Sequence, residues 1–192
     1  MHPENPFSLS SAATRLLEEI RRAHPTPRLV PESAGVVAQA IIREIQTVSS
    51  EELLGAAVGD ENMASAVRAG LLLRADELDE SHNISQGVRT SEGSYWHGIM
   101  HRREPDYSNS KYWFRSVGDH PLFETLATLE APAPGSALEE VTHTGAWDPY
   151  KFVDLCESCA KGVSTLRTEL EALQEREVNL LLSHCARAAI GG

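Results

Sequence analysis

Apolar residues recur every three or four positions along most of this chain, and this spacing is typical of amphipathic α-helices. The segment 8–24 opens with three serines that are cap candidates, Ser8, Ser10 and Ser11, and it stops at Pro25. Its apolar stripe consists of Leu9, Ala13, Leu16, Leu17 and Ile20. A second stripe, from Val36 to Ile45, predicts another helix, and a short third helix is expected from Ser50 to near Gly59.

A long periodic segment from Asp60 to about Gln86 predicts a central helix. Further helices are predicted over 93–104, 107–117, 120–129, 148–161 and 164–189. The segment 131–149 is rich in proline, glycine and small residues, and we expect a long loop, with room for one turn of helix, that either covers a pocket or crosses the surface. No segment alternates apolar and polar residues as a strand does. The pattern therefore predicts an all-α, single-domain bundle over residues 1–192, with about seven to nine helices and no substantial β-sheet.

Composition restricts the partners and the compartment. The formal net charge of −11 disfavours nucleic acid and anionic membrane surfaces as partners. The chain shows no signal peptide and no run of 18 apolar residues, so we expect a soluble, cytoplasmic protein without a membrane partner. Three cysteines do not form a disulfide framework. Cys156 and Cys159 lie within a predicted amphipathic helix, where we expect buried thiols rather than a redox pair.

Residues 95–115 concentrate aromatic and basic side chains. Of the 11 aromatic residues in the chain, six fall here: Tyr95, Trp96, Tyr107, Tyr112, Trp113 and Phe114. One interpretation is a corner of the core, where rings pack and arginines satisfy their polar edges. The other is a pocket for a small polar or anionic molecule. The candidate ligand-binding residues are then Trp96, Arg102, Arg103, Tyr107, Lys111, Tyr112 and, from the last helix, His184.

Within this stretch, His97, His101 and Glu104 share one helical face, opposite Tyr95, Trp96, Ile99 and Met100. Histidine suits general acid–base catalysis and metal binding, so His97, His101 and Glu104 are the candidate catalytic residues. His82 continues the apolar stripe of the preceding helix, and a helical hairpin would bring it to His97 and His101. These three histidines are the candidate ligands of a divalent metal ion. The alternative interpretation is that they are structural residues whose nitrogens form ordinary hydrogen bonds.

Two further pairs could add to such a cluster. Asp79 and His82 have the acid-to-histidine spacing of one half of a ferritin-like di-metal site, although no second pair of that kind is evident. Glu177 and His184 lie on the apolar side of the last helix, where charge needs a partner unless the residue lies at the edge of the stripe and reaches water. Motifs for nucleotide-binding loops, serine hydrolases and EF-hands are absent from the sequence.

Three separated segments resemble a family of uncharacterised bacterial and fungal proteins that share a "WHGIMHRRE…YSNSKYWFR" signature. They are the run from Tyr95 to Arg115, "WDPYKFVDLC" at 147–156 and "LLLSHCARAAIG" at 180–191. The resemblance implies that these segments belong to one structural unit, and it carries no activity or catalytic role.

Two hypotheses follow from the sequence. The first is a small-molecule-binding protein, with metal-dependent catalysis as its enzymatic form, whose site lies around residues 95–115. The second is a non-enzymatic interaction or structural protein that uses the aromatic and basic stretch as a subunit interface, as in a homodimer, or as a surface for another partner.

Overall fold

The computed structural model describes residues 11–25, 27–31 and 37–191. Over these ranges the secondary structure is entirely helical, without a β-strand, so the all-α prediction is confirmed. The helices are α1 (Ala12–Ala23), α2 (Gln39–Thr47), α3 (Ser50–Leu54), α4 (Glu61–Arg74), α5 (Leu78–Ser85), α6 (Ser91–Arg103), α7 (Tyr107–Val117), α8 (Pro121–Thr128), α9 (Ala137–Val141), α10 (Pro149–Ala160) and α11 (Arg167–Ile190).

These 11 helices in the described part of the chain exceed the expected seven to nine. The predicted central helix is divided into α4 and α5, and the segment 131–149 contains the short helix α9. Ser11 caps α1 by accepting a hydrogen bond from the Thr14 backbone N–H at 3.2 Å. The other cap candidates and the start of the second predicted stripe, residues 8–10 and 36, lie outside the described residues.

The central helix breaks at Asp76, which has a φ of 65°. Asp tolerates this left-handed conformation because its short polar side chain can bond locally. Arg103 of α6 stabilises the break by donating to the Leu73 carbonyl at 2.5 Å and to the Asp76 carboxylate. Periodicity alone predicted an unbroken helix from Asp60 to Gln86, because apolar residues continue on both sides of the break. The break lets α5 turn back and pack against both α4 and α6.

Helix α6 lies in the middle of the protein and packs against α4, α5 and α7. Tyr95, Trp96, Ile99 and Met100 join the larger apolar core. Arg102 is also fully buried: it forms an ion pair with Glu177 of α11, donates to Gln174 at 3.3 Å and lies 4.2 Å from the centre of the Phe152 ring. The core therefore surrounds both the apolar and the basic residues of α6.

The three cysteines are free and buried. Burial raises the pKa of Cys156 to about 12 and also raises the pKa of Cys185. Such thiols are protonated at neutral pH and behave as small apolar side chains, in line with the sequence-based expectation. None of the described helices is both long and apolar enough to cross a membrane.

We expect Gly70→Ala to destabilise the bundle, because side chains of α6 and α11 pack directly against α4 at this glycine. An added Cβ would lie 2.5 Å from Trp96 Cζ2 and 2.7 Å from Leu182 Cδ2, and both of those side chains are fully buried. Overpacking of this kind costs about 1–3 kcal/mol of unfolding free energy. Urea denaturation measures the change.

The matched control is Gly87→Ala, where an added Cβ meets only the Ile84 carbonyl oxygen, at 3.3 Å. Its unfolding free energy should change by no more than about 0.5 kcal/mol. Equal stability of the two variants would show that the close approach at Gly70 is not a constraint on the fold.

Candidate functional site

Three histidine side chains converge between α5 and α6. His82 comes from α5, and His97 and His101 lie one turn apart on the same face of α6. Each offers a ring nitrogen that lies within 4.8 Å of those of the other two. The ring centre of His82 lies 4.7 Å from that of His97 and 5.6 Å from that of His101. The structure thus brings together the three residues that the sequence suggested as metal ligands; we call them the histidine triad.

The triad depends on a tight hairpin between two helices. Helix α5 ends at Ser85, and α6 begins at Ser91, where Thr90 caps it by accepting a hydrogen bond from the Gly93 N–H at 3.3 Å. His97 and His101 are buried, with 1% and 6% of their surface exposed, whereas His82 is half-buried. His82 is therefore the least buried of the three histidines.

Ser85 forms a hydrogen bond with Nδ1 of His97. The Ser85 hydroxyl donates to the His82 carbonyl at 3.2 Å, and its oxygen lies 3.0 Å from His97 Nδ1. When the hydroxyl donates its single proton to the carbonyl, its oxygen accepts from His97 Nδ1–H. His97 Nε2 then carries no proton, and its lone pair is available as a metal ligand.

Glu104 performs a similar role for His101. Its carboxylate lies 3.0 Å from His101 Nδ1, which donates the proton. The unprotonated Nε2 is 3.0 Å from the side-chain amide nitrogen of Asn109, on α7, so it accepts a hydrogen bond there. A metal ion at Nε2 would replace this bond. Carboxylate–histidine pairs of this type commonly orient the imidazoles of metal sites.

The surroundings of His97 keep its imidazole neutral. Burial lowers the pKa of His97 to about 4, and the nearby rings of His82 and His101 add to the shift. Trp113 of α7 stacks on His97 with the ring centres 4.1 Å apart and covers it. A neutral imidazole is the form that binds a metal ion.

Three residues of this site were missed by the sequence analysis: Ser85, Asn109 and Trp113. Ser85 lies one turn after His82, so helical spacing could have placed it beside that histidine. Asn109 and Trp113 reach the site through the packing of α7 on α6, which no local pattern reveals.

The candidate ligand-binding residues lie in several places. Trp96, Arg102 and Arg103 are fully buried, and both arginines are occupied by internal ion pairs. Tyr107 and Lys111 line an open groove of about 460 Å³ that also contains Arg115 and Glu157. Tyr112 is 55% exposed.

The remaining acidic and histidine candidates on other elements do not join the triad. Asp79 is exposed at the start of α5, and Glu177 pairs with Arg102. His184 of α11 lies against Glu92, with its Nε2 3.1 Å from the carboxylate. Of the residues singled out in the sequence, the triad and Glu104 form one contiguous site.

Comparison of the chain with protein-family models, with curated proteins and with solved structures finds no match. The function is therefore argued from the geometry of the side chains.

The depressed pKa of His97 predicts a pH-dependent loss of stability in the metal-free protein. Its pKa is about 4 in the folded protein and about 6.5 in an unfolded chain, so the unfolded state binds a proton that the folded state does not. The contribution of His97 to stability is complete above about pH 6.5 and is lost as the pH falls towards 4. The free energy of unfolding, measured in the presence of a chelator, should fall less steeply over this range in His97→Gln than in wild type.

The control is His143→Gln, because His143 is exposed and remote from the triad in sequence. Its pH profile should run parallel to that of wild type. A parallel profile for His97→Gln as well would contradict the buried, neutral state of His97.

Proposed function

We propose that this protein binds a divalent transition metal ion of the zinc class through His82, His97 and His101, and that the ion keeps a coordination position open for a small polar or anionic molecule. The observation that carries the proposal is the convergence of three imidazole nitrogens within 4.8 Å of one another. Imidazole is a common ligand of zinc, copper, iron and nickel.

The spacing is compatible with a metal site after small rotations of the side chains. Zinc binds imidazole nitrogen at about 2.0–2.1 Å, which sets tetrahedral donors roughly 3.3 Å apart. The triad, within 4.8 Å, would close by at most about 1.5 Å. The Ser85 and Glu104 hydrogen bonds engage Nδ1 of His97 and His101, and an ion bound at His101 Nε2 would displace the Asn109 amide from that nitrogen.

A site with three protein ligands differs from a structural site. Structural zinc sites are usually closed by four protein ligands, whereas catalytic ones have three and bind water or substrate in the fourth position. An ion in such a site activates bound water for hydrolysis or hydration. The half-exposed Glu104 carboxylate, which orients His101, lies at the margin of the site where it can exchange protons with solvent.

The second hypothesis, an interaction surface, is supported by the outer face of α7. Tyr112 and Arg115 are exposed there, and such side chains are enriched in protein interfaces. An interface on this face predicts association that depends on protein concentration and does not depend on the triad. Sedimentation of wild type and His97→Ala with and without zinc distinguishes the two functions.

The direct test of the metal site is the zinc content of wild type and triad variants. After chelator treatment and reloading with Zn²⁺, His97→Ala and His82→Ala should each bind about one equivalent less than wild type, because two imidazoles hold zinc far more weakly than three. Inductively coupled plasma mass spectrometry measures the bound metal after gel filtration.

His143→Ala serves as the control, since it removes an exposed histidine from the same chain. It should bind as much zinc as wild type. Identical zinc content in wild type, His82→Ala and His97→Ala, with all variants folded by circular dichroism, would refute the triad as a metal site.

The hydrogen-bond partners of the triad should influence affinity without supplying a ligand. Ser85→Ala and Glu104→Ala are expected to weaken zinc binding by about 10–100-fold, because each releases the orientation of one imidazole. Competition with a chromophoric chelator measures the dissociation constants. Ser94→Ala is the matched control, since the Ser94 hydroxyl bonds only the Thr90 carbonyl among its described partners. Unchanged affinity in both test variants would show that these bonds do not organise the site.

A further inference from the structure

A second polar cluster lies at the other end of α6. Glu92 is in the first turn of α6, His120 is the residue that caps α8, and His184 belongs to α11. Their potential ligand atoms all lie within 4.8 Å of one another. Glu92 Oε1 is 3.1 Å from His184 Nε2 and 3.7 Å from His120 Nε2. Both imidazoles thus face the same carboxylate oxygen.

We propose that Glu92, His120 and His184 form a second mononuclear site for a divalent first-row transition metal ion. Two imidazoles and one carboxylate are a set of donors that binds zinc in hydrolases and iron(II) in oxygenases. This site is independent of the histidine triad and of the function proposed for it.

An unsatisfied polar atom supports this proposal. The His120 side chain is only 1% exposed, and its buried Nε2 has no acceptor at hydrogen-bond distance, since Glu92 Oε1 lies just beyond that distance at 3.7 Å. Buried polar atoms in proteins are nearly always satisfied, and exceptions call for an explanation such as an ion. A cation between His120, His184 and Glu92 would bind this nitrogen in place of its proton and would neutralise the partly buried carboxylate.

The two clusters would bind separate metal ions rather than one pair of ions. Glu92 and His97 are five residues apart on α6, which corresponds to about 7.5 Å along the helix axis and roughly 140° around it. Metal ions that act as a pair are about 3.5–4 Å apart. The donors on α6 therefore point to different sides of the helix and hold two mononuclear sites.

Binding at this site has a structural consequence for α8. The Leu122 N–H donates to His120 Nδ1 at 3.3 Å, so this nitrogen is unprotonated and Nε2 carries the proton. A metal ion bound at His120 Nε2 would leave the imidazole proton on Nδ1. Two donors, His120 Nδ1–H and the Leu122 N–H, would then face each other. The cap bond is then lost, and the Leu122 amide becomes a specific reporter of this site.

Stoichiometry tests the proposal. Zn²⁺ titration of the chelator-treated protein, followed by calorimetry, should show two equivalents in wild type and one in His184→Ala and in Glu92→Gln. His184 is about a quarter exposed, so its truncation should not disturb folding; His184→Gln is a second variant that keeps more of the side-chain volume. Equal stoichiometry in wild type, both His184 variants and Glu92→Gln would overturn the proposal.

His97→Ala separates this site from the triad. If both sites exist, this variant should retain one equivalent of zinc. In His97→Ala, zinc should still shift the Leu122 amide resonance in a ¹⁵N–¹H NMR spectrum, and His184→Ala should abolish that shift. If the triad binds no zinc and the second site does, wild type and His97→Ala should each bind one equivalent of zinc, and His184→Ala should bind none. A Leu122 resonance that zinc leaves unchanged in wild type would count against the second site.

Discussion

The burial of α6 on all sides is the constraint on which the structure depends. A helix with apolar residues on one face and polar residues on another normally turns the polar face to water. Here ten of the 13 residues of α6 are buried, including two histidines and two arginines. Because a buried polar group without a partner costs free energy, each of these side chains requires a partner from another element. The elements around α6 supply those partners.

Each partner also positions a functional element. Asp76 forms an ion pair with Arg103 at the break between α4 and α5. The break lets α5 pack back against α6, which brings the ring centre of His82 to 4.7 Å from that of His97. The ion pair between Arg102 and Glu177 holds α11 against α6. The residues that complete the core therefore also determine where the histidines meet. This link explains why a helix in the centre of the protein is also the one that carries both clusters of potential metal ligands.

Features that depend on the local spacing of residues could be predicted from the sequence. The period of apolar residues located the helices, and the i, i+4 spacing placed His97 and His101 on one face. It also suggested that a hairpin would bring His82 to them. Spacing could not predict the break at Asp76, because a left-handed residue leaves the apolar pattern intact on both sides.

Contacts between residues that are distant in the sequence could not be predicted from helical spacing. The sequence left open whether the two arginines of α6 face a ligand or complete the core; their partners are internal, since burial turns a cation towards the nearest available carboxylate. His184 was grouped with the triad, but it meets Glu92, 92 positions earlier in the chain. Helical periodicity indicates which face of a helix is buried and does not identify the residue that it will meet.

X-ray absorption at the zinc edge tests the central claim most directly. With Glu92→Gln and His184→Ala combined to remove the second cluster, one equivalent of zinc should show three imidazole ligands at about 2.0–2.1 Å and at least one oxygen from water. This result would place the ion on the triad with a position open to solvent. A spectrum with sulfur ligands, or with fewer than three imidazoles, would contradict the account.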